Sequence, residues 1–505
     1  MKKSIFKLIS LILCVSLLSG CLVFAVSAEG RPGTSPFRIS VAVNGDPETQ
    51  KGITWYTAEN TSSVVNITKS DGSAADTAWF DYEDVFEWEG NYVHKCLVSN
   101  LEPGTEYIFE VGDGKTFSPA GSFVTDDGDD SFEFITIADI QASSLRNFQY
   151  GARVVNAALE SATDAEFIVN LGDFTNDSTN EEWDYYDEAM AEINLNSTIV
   201  PVAGNHDGLG VWDWFNNMFC LDTSESVQNF NGVNYSFDYG NAHFAVLNTN
   251  DLLSISNAQL KWLENDLNST SKDWKIVCMH KSPYTLGKDG KWPDALYLQS
   301  ALTEVLDRCN VDLVMSGHDH QYLRTKALKG NAVNEDGTVY VLAGTAGTKR
   351  YEVRPFLADN FLDTSFIDAL TIQKHGYGNY WDGEDWDQTN EAYIGGIFNT
   401  ISVEGGTLTF NSYVVSDYTE DENGEIIDIN EKPTVTLHDS FTITKATGEN
   451  EATYVGRNET SAFEYYLGVV PSFISLAVYA IGDWLPKFIK MVPALLESVI
   501  KYDIF

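Results

Sequence analysis

The pattern of hydrophobic and polar positions divides the chain into two parts. Between residues 36 and 125, short runs of alternating polar and apolar residues, such as residues 37–41 and 52–57, are separated by polar turns. Alternation with a period of two is typical of strands with one buried face, so this part is predicted to be a small β-sandwich. From Phe132 onward, apolar runs alternate with segments of helical periodicity, which predicts an α/β layer architecture.

The second part is predicted to contain strands and helices in alternation. Predicted strands cover residues 134–138, 167–171, 235–248 as a hairpin, 275–279 and 311–315, with another ending at residue 203. Predicted helices cover residues 146–162, 179–193 and 295–309, with a fourth opened by Ser256, and Ser178 or Thr179 is the predicted cap of the second. Later strands, at residues 339–342, 396–403 and 407–414, are expected to form a second sheet. The expected result is a sandwich of two sheets with helices outside.

Metal-ligating residues follow five of the predicted strands. The five stretches are Ala138-Asp139-Ile140-Gln141, Gly172-Asp173, Gly204-Asn205-His206-Asp207, Met279-His280 and Gly317-His318-Asp319-His320. Loops at the carboxyl ends of strands meet at one edge of an α/β sheet, where active sites tend to form. We therefore expect the five stretches to converge on one site.

These residues include every type of ligand that a pair of cations requires. Two cations about 3.5–4 Å apart need a carboxylate that bridges them, flanking oxygen and imidazole ligands, and open positions for water and substrate. Asp173 is the predicted bridge, because the preceding glycine lets the backbone turn tightly. The other predicted ligands are Asp139 and His320 for the first ion, and Asn205, His280 and His318 for the second.

Two residues beside these ligands are predicted to be catalytic. His206 follows Asn205 and is left without a metal, so it is placed to stabilise the transition state or to protonate the leaving oxygen. Asp207 is predicted either to orient His206, as carboxylates commonly fix imidazoles, or to cap a turn. His94 and His243, which lie in other predicted strands, are predicted to be structural.

The order of the five motifs resembles that of the calcineurin-like metallophosphoesterase superfamily. Residues 101–107, Leu-Glu-Pro-Gly-Thr-Glu-Tyr, resemble the turn and tyrosine of fibronectin type III domains, which points to the purple acid phosphatase branch. The resemblance implies an αββα sandwich, two metal ions drawn from iron, manganese and zinc, and hydrolysis of phosphate esters by a metal-activated hydroxide. It places a fibronectin type III-like domain at residues 33–126 and the metallophosphoesterase domain at residues 131–445.

The sequence departs from the family pattern at two positions. Most superfamily members have a histidine two residues after the first aspartate, where this chain has Gln141. Purple acid phosphatases instead use a tyrosine three residues after the second aspartate, where this chain has Asn176. The resemblance therefore leaves two candidates for the missing ligand of the first metal, the amide oxygen of Gln141 and Asn176. Without a tyrosinate ligand, the protein is expected not to be purple.

Composition limits the partners that the protein can bind. The formal net charge is -43 and the isoelectric point is near 4.3, so the surface repels nucleic acids and anionic membranes. A phosphate ester of low molecular weight is the expected substrate, and metal ions would supply the local positive charge. A phosphodiesterase acting on nucleotides or phospholipid headgroups would use the same site. A non-catalytic cell-surface binding protein on the same fold is the alternative from another class.

Both ends of the sequence carry apolar segments. Lys2, Lys3 and Lys7 precede an apolar stretch at residues 8–26, which predicts a signal peptide over residues 1–28 and a secreted or extracellular protein. A lipoprotein cleavage site at Cys21 is the alternative, with the protein then associated with the cell surface. The apolar tail at residues 446–505 is interrupted by glycine and proline, so packing against the body is favoured over membrane association.

Overall fold

The computed structural model describes residues 33–207, 214–227, 232–250, 254–286, 293–349, 351, 366–371, 380–381, 386–387, 395–419 and 431–445. The predicted signal peptide and the apolar tail lie outside these residues. So does His375, which the aromatic and acidic segment 374–386 leaves as either a substrate contact or part of a solvated insertion. Among the described residues, no helix is long and apolar enough to cross a membrane.

The N-terminal part consists of eight strands. They are β1 (Phe37–Ala42), β2 (Lys51–Thr57), β3 (Val64–Lys69), β4 (Trp79–Tyr82), β5 (Phe86–Trp88), β6 (Asn91–Ser99), β7 (Glu106–Gly112) and β8 (Gly121–Val124). Strands β3, β7 and β8 form one sheet, and β1, β2, β6 and β4 belong to another, with a core of buried residues between them that includes Ile53, Trp55 and Phe109. The Tyr107 hydroxyl accepts a hydrogen bond from the backbone N–H of Glu102 at 2.8 Å, as the turn-and-tyrosine motif predicts. The prediction of a β-rich N-terminal domain is confirmed.

The second part contains two larger sheets. Its strands are β9 (Ser131–Ile137), β10 (Ala165–Asn170), β11 (Thr198–Pro201), β12 (Tyr235–Tyr239), β13 (Ala242–Val246), β14 (Trp274–Cys278), β15 (Leu313–Ser316), β16 (Tyr322–Thr325), β17 (Leu328–Lys329), β18 (Ala332–Val333), β19 (Val339–Ala343), β20 (Ile367–Thr371), β21 (Tyr380–Trp381), β22 (Trp386–Asp387), β23 (Gly395–Glu404), β24 (Thr407–Ser416) and β25 (Val435–Thr444). The first sheet has the order β25-β24-β23-β9-β10-β11 and continues into β1, and the second has the order β12-β13-β14-β15-β19-β16-β20. Aromatic residues such as Phe134, Phe167 and Phe244 pack between the two sheets, with the Phe134 and Phe167 ring centroids 5.0 Å apart.

The helices begin and end close to the predicted positions. They are α1 (Leu145–Ser161), α2 (Asn180–Asn196), α3 (Trp214–Met218), α4 (Asn257–Ser269), α5 (Pro293–Tyr297) and α6 (Thr303–Cys309), with a π-helical turn (Leu298–Leu302) between the last two. Helix α2 opens with a capping box, in which the Thr179 hydroxyl accepts from the Glu182 N–H and the Glu182 carboxylate accepts from the Thr179 N–H. Ser256 caps α4 in the same way through the Gln259 N–H. The residues predicted as caps therefore set the start of both helices.

The predicted membership of the second sheet is wrong for two strands. Strands β23 and β24 were expected beside β19, but β23 pairs antiparallel with β9, with Asn399 opposite Thr136. The second sheet is built instead from β12 to β16, β19 and β20. Hydrophobic periodicity indicates that a segment is a strand but not which partner it takes, because the partner is set by packing between distant segments.

The two parts of the chain share one sheet. Strand β1 of the N-terminal part pairs parallel with β11, with Val41 opposite Thr198 and Ala42 opposite Ile199. The backbone N–H of Val43 extends this ladder by donating to the Ile199 carbonyl at 3.1 Å. The first sheet thus runs without interruption from the second part into the N-terminal sandwich.

Candidate metal centre

The candidate site lies where strands of both sheets end. In the first sheet, Asp139 follows β9, Asp173 follows β10, and Asn205 follows β11. In the second sheet, His280 follows β14, and the segment containing His318 and His320 follows β15. The convergence predicted from the sequence is present, and it brings together loops from two sheets that face each other.

Several of these loop residues have a left-handed backbone conformation, which is uncommon for residues other than glycine. They are Asp139 (φ 54°), Gln141 (φ 38°), Asp173 (φ 55°), His318 (φ 79°) and His320 (φ 41°). Each such residue costs about 1–3 kcal/mol unless the surrounding structure compensates, and such residues cluster at functional sites. The strain is therefore concentrated at the predicted ligands.

The first group of ligands consists of Asp139, Asp173 and His320, whose ligand atoms lie within 4.8 Å of one another. The Nδ1–H of His320 donates to the Lys349 carbonyl at 2.5 Å, so that Nε2 is the nitrogen that faces the carboxylates. That Nε2 lies 3.5 Å from Asp139 Oδ1. A cation between these atoms would have two carboxylates and one imidazole as ligands.

The second group consists of Asp173, His280 and His318, again within 4.8 Å of one another. The His280 Nδ1–H donates to the Leu171 carbonyl at 2.8 Å, which leaves the lone pair of Nε2 directed into the site. That Nε2 lies 3.1 Å from Asn205 Oδ1, 3.2 Å from His318 Nδ1 and 3.3 Å from Asp173 Oδ2. These oxygen and nitrogen atoms lie close enough together to coordinate one cation.

Asp173 belongs to both groups, as expected of a bridging carboxylate. It is 1% exposed, and its Oδ1 also accepts the backbone N–H of His206 at 2.9 Å. Within the part of the chain that the structure describes, these two are the clusters of histidine and carboxylate groups that can hold a metal ion. The predicted pair of metal sites sharing one aspartate therefore fits the donor set.

The charges of the site shift the pKa values of its groups. Although burial lowers the pKa of His280, the Asp173 and Asp139 carboxylates outweigh burial and raise that pKa to about 9. Although burial raises the pKa of Asp173, the imidazoles of His280 and His206 bring it well below its usual value. Burial and the neighbouring His280 hold the pKa of His318 well below its usual range. Near neutral pH, Asp173 is thus an anion and His318 a neutral imidazole, which are the forms that bind metals.

The two positions that depart from the family pattern have different surroundings. Gln141 is 5% exposed, and its buried Oε1 has no hydrogen-bond partner among the described residues. A buried amide oxygen without a donor is destabilising unless a water or a cation meets it. Asn176 contributes its backbone carbonyl instead, which accepts the Nδ1–H of His206 at 2.5 Å. The unpaired oxygen is therefore on the Gln141 side chain.

The two predicted catalytic residues are held by the loop that follows Asp173. The His206 ring is fixed through Nδ1 by Asn176, and the His206 carbonyl accepts the Ser178 hydroxyl at 2.9 Å. Asp207 is fully buried, and its carboxylate accepts the backbone N–H groups of Gly204, Asp173 and Phe174 at 2.7–2.9 Å. This geometry favours the turn-capping alternative for Asp207, and Asn176 takes the orienting position beside His206.

Sequence reasoning did not identify the partners that fix the histidine rings. Two of these are carbonyl groups, of Leu171 for His280 and of Lys349 for His320, and a third contact is the Tyr351 ring, which stacks on His320 with centroids 4.3 Å apart. Backbone carbonyls leave no residue-type signal, because every residue has one. His94 and His243, predicted to be structural, bond to hydroxyls and to surface carboxylates, respectively.

Comparison with known proteins agrees with this geometry. The profile described as calcineurin-like phosphoesterase matches residues 132–322, and the profile described as purple acid phosphatase, N-terminal domain, matches residues 36–125. Purple acid phosphatase 21 of Arabidopsis thaliana is 23% identical over 403 residues, covering 75% of this chain and 87% of that protein. Fe(3+)-Zn(2+) purple acid phosphatase 12 of the same plant is 24% identical over 286 residues, covering 52% of this chain and 61% of that protein.

A solved structure has the same overall fold. The structure of PhoD superposes with a TM-score of 0.56 at 13% sequence identity, covering 89% of this chain and 99% of that one. This similarity confirms the predicted fold, and the two profile matches confirm the predicted type of each domain. The chain is therefore a phosphoesterase hydrolase in which a calcineurin-like phosphoesterase domain follows a purple acid phosphatase N-terminal domain.

Proposed function

We propose that this protein is an exported phosphomonoesterase that works with two metal ions. The observation that carries the proposal is the position of Asp173, which is shared between two groups of ligands, each drawn from strand ends of both sheets. Asp139 and His320 would hold the first ion together with the shared Asp173, and the unpaired oxygen of Gln141 would be its fourth ligand in place of the family histidine. Asn205, His280 and His318 would hold the second. Iron, manganese and zinc all accept this mixture of oxygen and nitrogen ligands.

The bound ions would supply charge stabilisation for the phosphate and lower the pKa of a water molecule. The protein's part is to position the ligands and to handle one proton. His206 donates its Nδ1–H to Asn176, so Nε2 is the nitrogen left for the substrate. Protonated at Nε2, His206 would transfer that proton to the leaving alcohol oxygen as the bond from this oxygen to phosphorus breaks. Asp207 would hold the turn that carries His206.

The net charge of -43 also bears on the substrate. A compact phosphate monoester needs little contact area, so the repulsion from the acidic surface is offset locally at the metal centre. A polyanion would meet that repulsion along its whole length. This contrast favours small phosphate esters over nucleic acid.

The activity is tested by replacing the bridging ligand. Purified protein loaded with iron, manganese or zinc should hydrolyse an aryl phosphate monoester, and Asp173→Asn should lose both activity and bound metal. Asp312→Asn is the matched control, because Asp312 pairs with Lys445 at 2.6 Å in a different part of the second sheet. Equal activity in Asp173→Asn would refute the proposal. Faster hydrolysis of a bis-aryl phosphate would favour the phosphodiesterase, and no hydrolysis with either ester under any metal would favour a binding protein.

Export is a separate part of the proposal, supported by the lysines and apolar stretch of residues 1–28. Cleavage after Ala28 would leave Glu29 as the first residue of the mature protein. Sequencing the amino terminus of protein recovered outside the cell tests this step. A mature protein that retains Met1 would contradict it.

A further inference from the structure

Arg38 is a buried arginine of the N-terminal domain that has no role in the proposed metal binding or proton transfer. It is 2% exposed and has a left-handed backbone with φ 48°. The pairing of β1 with β2 shifts register between Phe37 and Ser40, so Arg38 lies in an irregularity of the strand. Such irregularities redirect a side chain away from the regular face of the sheet. The side chain here reaches out of the N-terminal sandwich to helix α2.

The guanidinium group forms hydrogen bonds with the first turn of α2 through a single nitrogen. Arg38 Nη2 donates to the Asn180 carbonyl at 2.9 Å, to Asn180 Oδ1 at 2.8 Å and to Asp184 Oδ1 at 2.8 Å. The backbone N–H of Arg38 adds a bond to Asp187 Oδ1 at 2.9 Å, one turn further along. The arginine is thus tied to the start of the helix from both its side chain and its backbone.

Aromatic rings surround the rest of the guanidinium. Its carbon lies 5.3 Å from the centre of the Tyr56 ring and 5.4 Å from that of Trp214, and its Nε and Nη1 make no hydrogen bond within the described residues. Burial of a charged group costs free energy, so the contacts of Arg38 are weak evidence that it only stabilises the fold. A planar guanidinium can lie against aromatic rings while one of its nitrogens donates hydrogen bonds, which the compact ammonium group of lysine does less well. The arrangement therefore selects arginine for its geometry.

The first turn of α2 is continuous with the loop that holds His206. The Glu182 carboxylate accepts the backbone N–H of Asp177 at 2.7 Å and closes the capping box with Thr179. Asn176 and Ser178 of the same loop bind the His206 ring and carbonyl, respectively. A chain of contacts thus connects Arg38, the start of α2, residues 175–179 and His206.

We propose that Arg38 is a positioning residue by which the N-terminal domain sets the orientation of the His206 imidazole. The proposal rests on the proposed function, since His206 acts there as the proton donor. A displaced start of α2 would move the Asn176 carbonyl and leave the His206 ring free to rotate. The ligands Asp173 and Asn205 lie beside this loop, but other contacts hold their backbone. The Asp173 carbonyl accepts the Gln141 N–H, and the Asp207 carboxylate accepts the N–H groups of Asp173 and Gly204, so metal binding is expected to persist.

The test uses the dependence of general acid catalysis on the leaving group. A 4-nitrophenyl ester needs little protonation, whereas an alkyl phosphate needs a proton on its leaving oxygen. Arg38→Lys should lower kcat for the alkyl ester about 10-fold or more, a partial loss of the roughly 100- to 10,000-fold that general acids contribute. It should lower kcat for the aryl ester by less than about 3-fold, with unchanged KM and metal content. A purely structural role would lower both rates equally through the fraction of folded protein.

Two comparisons make the result decisive. Arg153→Lys is the control, because Arg153 is also buried and binds the Glu431 carbonyl at 3.4 Å on a different face of the fold. In His206→Ala, which already lacks the proton donor, adding Arg38→Lys should cause no further loss. If Arg38→Lys fails to fold, Asp184→Ala removes one partner of Nη2 whose side chain is 46% exposed, and the same pattern of rates is expected. Equal losses on both esters, or losses that add to those of His206→Ala, would overturn the proposal.

One measurement is independent of turnover. Hydrogen exchange of the backbone amides of residues 175–179 should speed up in Arg38→Lys and Asp184→Ala but not in Arg153→Lys. Unchanged exchange in both variants would overturn the positioning role even if the wild-type protein hydrolysed neither ester. Failure of the proposed function and failure of the positioning role are thereby distinguishable.

Discussion

Replacing Gly172 by alanine tests how closely the loops of the metal centre approach one another. Gly172 precedes the bridging aspartate and has φ 96°, in the left-handed region. A Cβ atom on this residue would lie 2.7 Å from the Gly204 backbone nitrogen and 2.8 Å from both the Gly204 Cα and His280 Nδ1. Ordinary contact begins at 3.4 Å, so two loops and one metal ligand would have to move apart by more than half an ångström.

The expected loss of stability has two parts. The left-handed backbone costs an alanine about 1–3 kcal/mol. Overpacking against backbone atoms adds about 1–3 kcal/mol, because these atoms cannot rotate away as a flexible side chain can. The free energy of unfolding should therefore fall by about 2–6 kcal/mol. His280 should also shift, since its Nδ1 is held by the Leu171 carbonyl at 2.8 Å beside the inserted methyl group.

Gly90→Ala is the matched control, because Gly90 has φ 77° but no atom within 4 Å of its Cβ position. It should show the backbone cost alone and keep its bound metal. Urea unfolding of both variants isolates the packing cost, and metal analysis after gel filtration shows whether His280 still binds. The reasoning is refuted if Gly172→Ala is no less stable than Gly90→Ala and retains both ions.

Three further predictions concern other groups. Gln141→Ala should weaken binding of the first metal, and Gln141→His, which restores the residue type of most superfamily members, should strengthen it. Competition with a chelator measures both affinities. Equal affinities would contradict a ligand role for Gln141. Iron-loaded protein should show no tyrosinate charge-transfer band in its visible spectrum, and a violet protein would contradict the ligand set. Although burial lowers the pKa of His243, hydrogen bonds to Asp238 and Asp266 raise it to about 9. The folded pKa of His243 thus lies above the unfolded value near 6.5. Below pH 6.5, the bonds of His243 to the two aspartates stabilise the fold by about 2 kcal/mol, allowing for screening at half-exposed Asp238. This contribution is lost as the pH rises through 9. The stability of His243→Gln, measured by urea unfolding, should depend less on pH over this range, and an unchanged pH profile would contradict the assignment.

Local chemistry made much of the candidate site predictable. The ligands directly follow strands, and a strand followed by a polar ligand can be recognised within a few residues. The same holds for Thr179 and Ser256, which set the starts of α2 and α4 as predicted from their type and position. In each case, the signal and the structure that it specifies lie in the same short stretch of chain.

The features that were not predictable depend on contacts between distant segments. Asn399 lies opposite Thr136 in the first sheet, although 263 residues separate the two in sequence. Two other contacts also join segments that are distant in sequence. The Lys349 carbonyl accepts a hydrogen bond from His320, and the Arg38 side chain donates to α2. Pairings of this kind are decided by how whole layers pack, which no local pattern records.

The hydrogen bonds between β1 and β11 have a consequence for how this protein can be divided. Removing residues 33–126 would remove the partner strand of β11 and expose unpaired amides and carbonyls along the edge of β11. Such edges recruit strands from other molecules, so a truncated enzyme would tend to aggregate rather than act alone. The N-terminal domain therefore covers one edge of the catalytic sheet. A fusion protein that uses the hydrolase domain must include the N-terminal domain as well.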